Sequence, residues 1–366
     1  MSTRTGLRVA FLGGGVALLA ALAWGGAPTP PSATGSEPVA SCPDSELEGT
    51  TPIRGVSLVT PRSELEARHL DALDRISAEW IAVLPYARLA ANGAIQHRSG
   101  PEDGPGFSSG RLDLAAHTIR QANEKGLGVM LKPHLWSGAD WVGHFAPTSE
   151  ADRMRFESQY RAFILEFAAL ADSLQVEIFV IGTELDQTVR ERPAFWTDLI
   201  GEIRQRFGGK LTYAANWDGF QDVPFWSELD YIGVDAFFPL STRATPTPDA
   251  LVDEWAPIVE ALRAECRLAG RPVLLTEYGY RSIDASAGPQ WEMPREGDPS
   301  TPVNLAAQVN AYEALFRAVW AEPWVAGGFL WKWFPDDERL RAERRADYTP
   351  QHKPVEDVIR DWYSRP

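Results

Sequence analysis

Eight short runs of β-forming residues, with stretches of helical periodicity between them, constrain this chain more than any other feature. They are Ile53–Val59, Trp80–Leu84, Gly128–His134, Ile178–Gly182, Leu211–Asn216, Tyr231–Ala236, Pro272–Glu277 and Gly327–Lys332. Most are continuously apolar rather than alternating, as strands covered on both faces must be. Parallel neighbours of that kind need a crossover, usually helical. Apolar residues recur at three- and four-residue spacing between the runs, most clearly at Phe156, Tyr160, Phe163, Ile164, Phe167, Leu170 and Leu174. Tyr312, Leu315, Phe316, Val319 and Trp320 repeat the pattern. Ser63 before Leu65 and Pro193 before Phe195 mark helix starts. The expectation is an α/β protein whose residues 49–366 form one (β/α)8 (TIM) barrel. A doubly wound open sheet would carry a Gly-rich phosphate loop after a strand, and no run here is followed by one.

The N-terminal stretch has a different character. Arg4 and Arg8 precede an apolar run from Val9 to Ala23 that closes on Ala21-Leu22-Ala23, which predicts a signal peptide over residues 1–23 and a secreted or periplasmic protein. The run is short for a membrane span and contains Gly13 to Gly15; an uncleaved anchor is the alternative. Residues 24–48 are rich in Pro, Gly, Ser, Thr and Ala and read as a disordered linker. Val39-Ala-Ser-Cys42 has the outline of a lipoprotein box but lies too far beyond the apolar run for lipidation. Cys266 follows Trp255, Ile258, Val259 and Leu262 at helical spacing and reads as a core residue. Whether it pairs with Cys42, the second of two cysteines, the sequence leaves open.

A formal net charge of −15 argues against nucleic acid or anionic lipid as a partner, and no membrane association is expected once the signal is removed. A neutral polymer is unaffected by that charge. The 14 tryptophans include several at loop positions, where indole faces suit sugar rings.

Active sites of (β/α)8 barrels lie at the C-terminal strand ends. Read in order, those ends carry Lys132, His134 and Trp136, then Glu184, Asn216 with Trp217, Asp235, Glu277, and Trp331-Lys332-Trp333. Two of them look alike: Phe179-Val-Ile-Gly-Thr-Glu184 and Val273-Leu-Leu-Thr-Glu277. Each apolar strand stops at Thr-Glu, and strands four and seven face each other across a closed barrel mouth. A carboxyl pair about 5–5.5 Å apart performs retaining glycoside hydrolysis, with one nucleophile and one acid that later acts as base. Trp331 would offer its face to the apolar side of a pyranose. Metal hydrolysis fits less well, because only His134 of the six histidines sits at a strand end. Rim lysines such as Lys132 and Lys332, beside carboxylates, read as ion-paired rather than as Schiff-base formers. No Gly-x-Ser-x-Gly elbow is present.

Several segments together resemble the retaining glycoside hydrolases of clan A, and more narrowly glycoside hydrolase family 113, the β-1,4-mannanases. They are Val129-Met-Leu-Lys-Pro-His134, Ile181-Gly-Thr-Glu184-Leu, Leu211-Thr-Tyr-Ala-Ala-Asn216-Trp217, Leu229-Asp-Tyr-Ile-Gly-Val-Asp235-Ala, Leu275-Thr-Glu277-Tyr-Gly-Tyr280 and Gly328-Phe-Leu-Trp331-Lys-Trp333. The resemblance spans about residues 52 to 335. It implies Glu184 as acid/base, Glu277 as nucleophile and Trp331 as the floor of the subsite that is cleaved. It also implies that Lys132, His134, Asn216 and Trp217 contact sugar or orient the glutamates. With Trp136, Asp235, Tyr280 and Trp331 they make up the expected substrate-binding set. Thr183 before the acid/base fits the narrower family, whereas Phe237 stands where a tyrosine holding the nucleophile is expected.

The expected activity is therefore a cofactor-independent, metal-free, retaining endo-β-1,4-mannanase, a monomer acting on a neutral β-linked polysaccharide or oligosaccharide. A retaining hydrolase or transglycosylase for another neutral β-glycan is the alternative, and a non-catalytic glycan-binding barrel is the reading from a different class. Two intact Thr-Glu strand ends weigh against the last. The Ser282–Thr301 loop with Trp291 is expected to wall one end of a cleft or to form a mobile lid.

Overall fold

The computed structural model describes Cys42 and residues 51–59, 64–96, 112–138, 141–296, 298–340 and 345–365. The predicted signal peptide, the linker apart from Cys42, and the helix start at Ser63 lie outside these residues. Residues Val39–Pro366 form one compact unit.

Eleven strands are present among the described residues. Eight of them, β1 (Ile53–Leu58), β2 (Trp80–Val83), β5 (Gly128–Leu131), β7 (Ile178–Thr183), β8 (Lys210–Asn216), β9 (Ile232–Asp235), β10 (Val273–Tyr278) and β11 (Val325–Trp333), close into a barrel. All neighbours are parallel, and the ring shuts where β11 pairs with β1, Ile53 opposite Gly327. This is the expected (β/α)8 barrel. All eight expected strands are found, most with ends shifted by a residue or two.

The burial pattern explains why the strands read as unbroken apolar runs. Alternate residues fill the interior, among them Ile53, Ala82, Met130, Ile178, Val180, Ala214, Leu274 and Phe329. Their neighbours, such as Phe179, Ile181, Leu211, Tyr213 and Val273, pack outward under the helices. Phe329 lies so close over Gly55 that a Cβ there would sit 2.3 Å from its ring, so only glycine fits. Helix Glu150–Ser173, capped by Ser149, buries Phe156, Tyr160, Phe163, Ile164 and Phe167 on its inner face. Helix Pro193–Arg204 begins with Pro193 in its first turn, as expected.

Two features depart from the sequence reading. The run Gly128–His134 is not one strand: β5 ends at Leu131, and β6 (His134–Trp136) leaves the barrel to pair with β3 (Tyr86–Leu89) in a small side sheet completed by β4 (Ile95–Gln96). Pro133 forces the change, because it cannot donate to the barrel ladder. Cys42, within the stretch expected to be linker, is buried and paired with Cys266, Cα atoms 5.3 Å apart. Cys266 is fully buried on helix Pro248–Ala269. Among the described residues, no helix is long and apolar enough to cross a membrane.

Candidate active site

Glu184 follows the last residue of β7 and turns the chain sharply. Its φ is 52°, in the left-handed region, which costs about 1–2 kcal/mol for a residue with a side chain. Two hydrogen bonds hold the turn: Glu184 N–H donates to Ala214 O at 2.8 Å, and Leu185 N–H donates to the buried Tyr213 hydroxyl at 2.7 Å. Glu277 lies within β10, in register with Asp235 of β9. Both glutamates line one cavity of about 380 Å³ at the C-terminal mouth, together with Tyr86, His134, Trp136, Trp141, Thr183, Asp235 and Trp331.

Beneath Glu277 lies a wholly buried cation. Lys132 Nζ donates to Asp235 Oδ1 and to Glu277 Oε1, each at 2.7 Å, and has no exposed surface. Burial would lower the lysine's pKa, but the charges of Asp235 and Glu277 more than offset it and raise it, so the ammonium persists. Asp235 Oδ1 also accepts from Thr276 Oγ1 at 2.8 Å. His134 Nε2 is 3.6 Å from the same Glu277 oxygen, and its ring lies 4.9 Å from that of Tyr86. Burial, aided by Lys132, holds His134 well below its ordinary value, so the imidazole is neutral. Tyr86 is pushed up by burial and then by the charges of Glu277, Glu184 and Asp235, so its hydroxyl stays a donor.

Burial and then the charge of Asp235 push both Glu184 and Glu277 above the ordinary 4.5. The two carboxyls are coupled and titrate as a pair. Their donors differ. Glu277 accepts a charged hydrogen bond from an ammonium, whereas Glu184 Oε2 accepts from the neutral indole Nε1 of Trp141 at 2.8 Å. A charge-assisted bond is roughly twice as strong, so the ammonium favours the ionised form of Glu277 more than the indole favours that of Glu184. The site therefore holds two coupled carboxyls with unequal donors in one cavity. Among the described residues, no cluster of three His, Cys, Asp or Glu could hold a metal ion.

The structure gathers Glu184, Glu277, His134, Trp136, Asp235 and Trp331 around the cavity. Lys132 acts beneath it, through the carboxylates rather than by touching it. Three expected contacts point elsewhere. Asn216 Nδ2 donates to Asp218 Oδ1 at 2.6 Å. Trp217 stacks on Trp291, rings 4° from parallel with centroids 5.6 Å apart, and lies outside the cavity wall. Tyr280 is buried behind β10 against Tyr312. Phe237, where a tyrosine was expected, meets Tyr348 edge-on at 6.1 Å. Lys332 is paired with Glu296 at 2.9 Å and lies over the Trp331 ring.

Tyr86 and Trp141 are among the wall residues absent from the expected set. Tyr86 comes just past the end of strand two, the one signal that could have found it. Trp141 reaches Glu184 from a loop, and no spacing in the sequence announces that contact.

The model of glycoside hydrolase family 113 matches residues 63–353. Among solved structures, the chain is similar to a family 113 β-mannanase from Alicyclobacillus acidocaldarius in complex with ManMIm, with TM-score 0.70 and 25% identity over 86% of this chain and 98% of that one. It is similar to a family 113 β-1,4-mannanase with TM-score 0.70 and 23% identity, over 86% of this chain and all of that one (100%). A family 5 mannosidase from Rhizomucor miehei shares the fold, with TM-score 0.56 and 11% identity over 86% and 92% of the two chains. No curated protein matches the sequence.

Proposed function

The chain belongs to glycoside hydrolase family 113 and is a glycosidase; on that premise we propose that it is an exported, retaining β-1,4-mannanase working by double displacement. In the first step a Glu277 oxygen attacks the anomeric carbon as Glu184 protonates the departing glycosidic oxygen. In the second, Glu184 takes a proton from water, whose oxygen displaces Glu277 from the same carbon. Lys132 occupies Oε1 of Glu277, so Oε2 is the attacking atom. Trp331 floors the subsite and Tyr86 donates to the sugar or to Glu277.

The unequal donors to the two cavity carboxyls support this reading, because a charged donor on Glu277 suits an anionic nucleophile and a neutral donor on Glu184 suits an acid. His134 Nε2, Thr183 Oγ1 and Asp235 Oδ2 belong to the cavity wall and have no hydrogen-bond partner, an unmet capacity that sugar hydroxyls would fill. Mannan is favoured over other neutral β-glycans by the two family 113 relatives, which are described as β-mannanases. Export is supported by the Arg4–Ala23 leader and by the Cys42–Cys266 pairing, which needs an oxidising compartment. A monomer suffices, since every group invoked comes from one chain.

The test is product analysis on defined manno-oligosaccharides by NMR, with glucan and xylan oligomers as controls. The β-anomer of the new reducing end should appear first, and mannan should be cut in preference. First appearance of the α-anomer would refute retention, and preferential cleavage of glucan or xylan would refute the substrate. Glu277→Ala should lose turnover and form an α-mannosyl azide when azide is supplied; unimpaired turnover removes Glu277 from the mechanism.

A further inference from the structure

Trp141 lies outside every strand, on the loop after β6, and the loop is shaped around its indole. It immediately precedes a short 3-10 turn, Val142–His144. The His144 ring meets the indole edge-on, centroids 5.1 Å apart with planes at 86°. The six-membered ring lies against Gly143 so closely that a Cβ there would come within 2.3 Å of it. Held this way, Nε1 donates to Glu184 Oε2 at 2.8 Å.

An indole N–H donates and cannot accept. A proton on Oε2 of Glu184 would share its oxygen with that donor and give up the stronger hydrogen bond to the carbonyl oxygen. We propose that Trp141 is a positioning residue that keeps the catalytic proton of Glu184 on Oε1, making Oε1 the acid–base atom in both steps. The inference rests on Glu184 being the acid/base. In the first step the Oε1 proton moves to the glycosidic oxygen as the bond from that oxygen to the anomeric carbon breaks and the Glu277 ester forms. In the second step Oε1 takes a proton from water as the water oxygen bonds to the anomeric carbon and the ester breaks. Oε2 stays on the indole throughout. The N–H bond is stronger to a carboxylate than to a carboxylic acid, so it also opposes the upward push of burial on Glu184.

The experiment compares Trp141→Phe, Gly143→Ala and Glu184→Ala on manno-oligosaccharides and on a 2,4-dinitrophenyl β-mannoside, whose leaving group needs no proton. Trp141→Phe should move the basic limb of kcat/KM upward by about one pH unit. It should also reduce kcat/KM roughly 10- to 100-fold on the oligosaccharide, and far less on the activated substrate. Gly143→Ala, which displaces the ring while keeping the N–H, should shift the limb in the same direction by less. An unmoved limb with equal losses on both substrates would overturn the proposal. If Trp141→Phe does not fold, Gly143→Ala alone decides by the same criterion. Should Glu184→Ala lose equally on both substrates, the acid/base assignment itself fails; leaving-group dependence in Glu184→Ala but not in the other variants refutes only the role of Trp141.

Discussion

If Glu277 is the nucleophile, as proposed, replacing Lys132 by methionine should inactivate the enzyme through that carboxylate rather than through substrate contact. The side chain is fully buried, and its ammonium is 2.7 Å from both Asp235 and Glu277. Methionine fills most of the volume but leaves two buried carboxylates with no counter-charge. Breaking one side of such a pair costs about 3–5 kcal/mol. The site relieves that cost by protonating a carboxyl, and Glu277 is the one that yields, because Asp235 keeps its Thr276 donor. At 1.36 kcal/mol per unit, the energy corresponds to a rise of about 2–4 units in the pKa of Glu277. At pH 6 the ionised nucleophile then falls by roughly 100-fold or more, with kcat/KM following. The assay is kcat/KM against pH on 2,4-dinitrophenyl β-mannoside, which isolates the nucleophile from the acid. The acid limb should move upward and activity should recover with unit slope as pH rises, while Lys132→Arg should retain part of the wild-type limb. A Lys132→Met enzyme that is folded, by near-UV circular dichroism, with an unmoved acid limb would refute the reasoning.

Three further outcomes follow from other contacts. Glu184→Gln should stabilise the fold at pH 8 by roughly 1–3 kcal/mol and much less at pH 5, read from denaturant midpoints. The sign follows from Glu184's folded pKa lying above its unfolded value, so its ionisation costs stability as pH rises past about 4.5, and an amide removes that cost; equal effects at both pH values would count against it. Trp291, 62% exposed and stacked on Trp217, should serve long chains beyond the cavity: Trp291→Ala should raise KM several-fold for polymer and leave short oligosaccharides unchanged, and a loss on both would place it elsewhere. Cys42→Ser should lower stability by about 2–4 kcal/mol while sparing kcat, because it opens a closure of 224 residues; an unchanged melting temperature would argue that Cys42 is not tied to the barrel in solution.

What the sequence determined by itself was whatever depends on near neighbours. A strand buried on both faces must be apolar throughout, so the eight barrel strands announced themselves, and so did the two places where an apolar run breaks at Thr-Glu. Their common rim then followed from barrel topology alone, which is why Glu184, Glu277 and Trp331 were legible as one site. Tertiary structure decided how those groups are partnered. Lys132 could be read as ion-paired beside carboxylates, but only the barrel chose Asp235 and Glu277, residues 103 and 145 positions away in the chain, as its partners. Trp217 meets Trp291 and Tyr280 meets Tyr312 across 74 and 32 residues, contacts that exist only once the chain is folded. Trp141 found Glu184 across 43 residues, and Cys42 found Cys266 across 224. Periodicity records which face of an element is buried; it holds no record of which distant side chain will lie against it, and the chemistry of this cavity is made of such encounters.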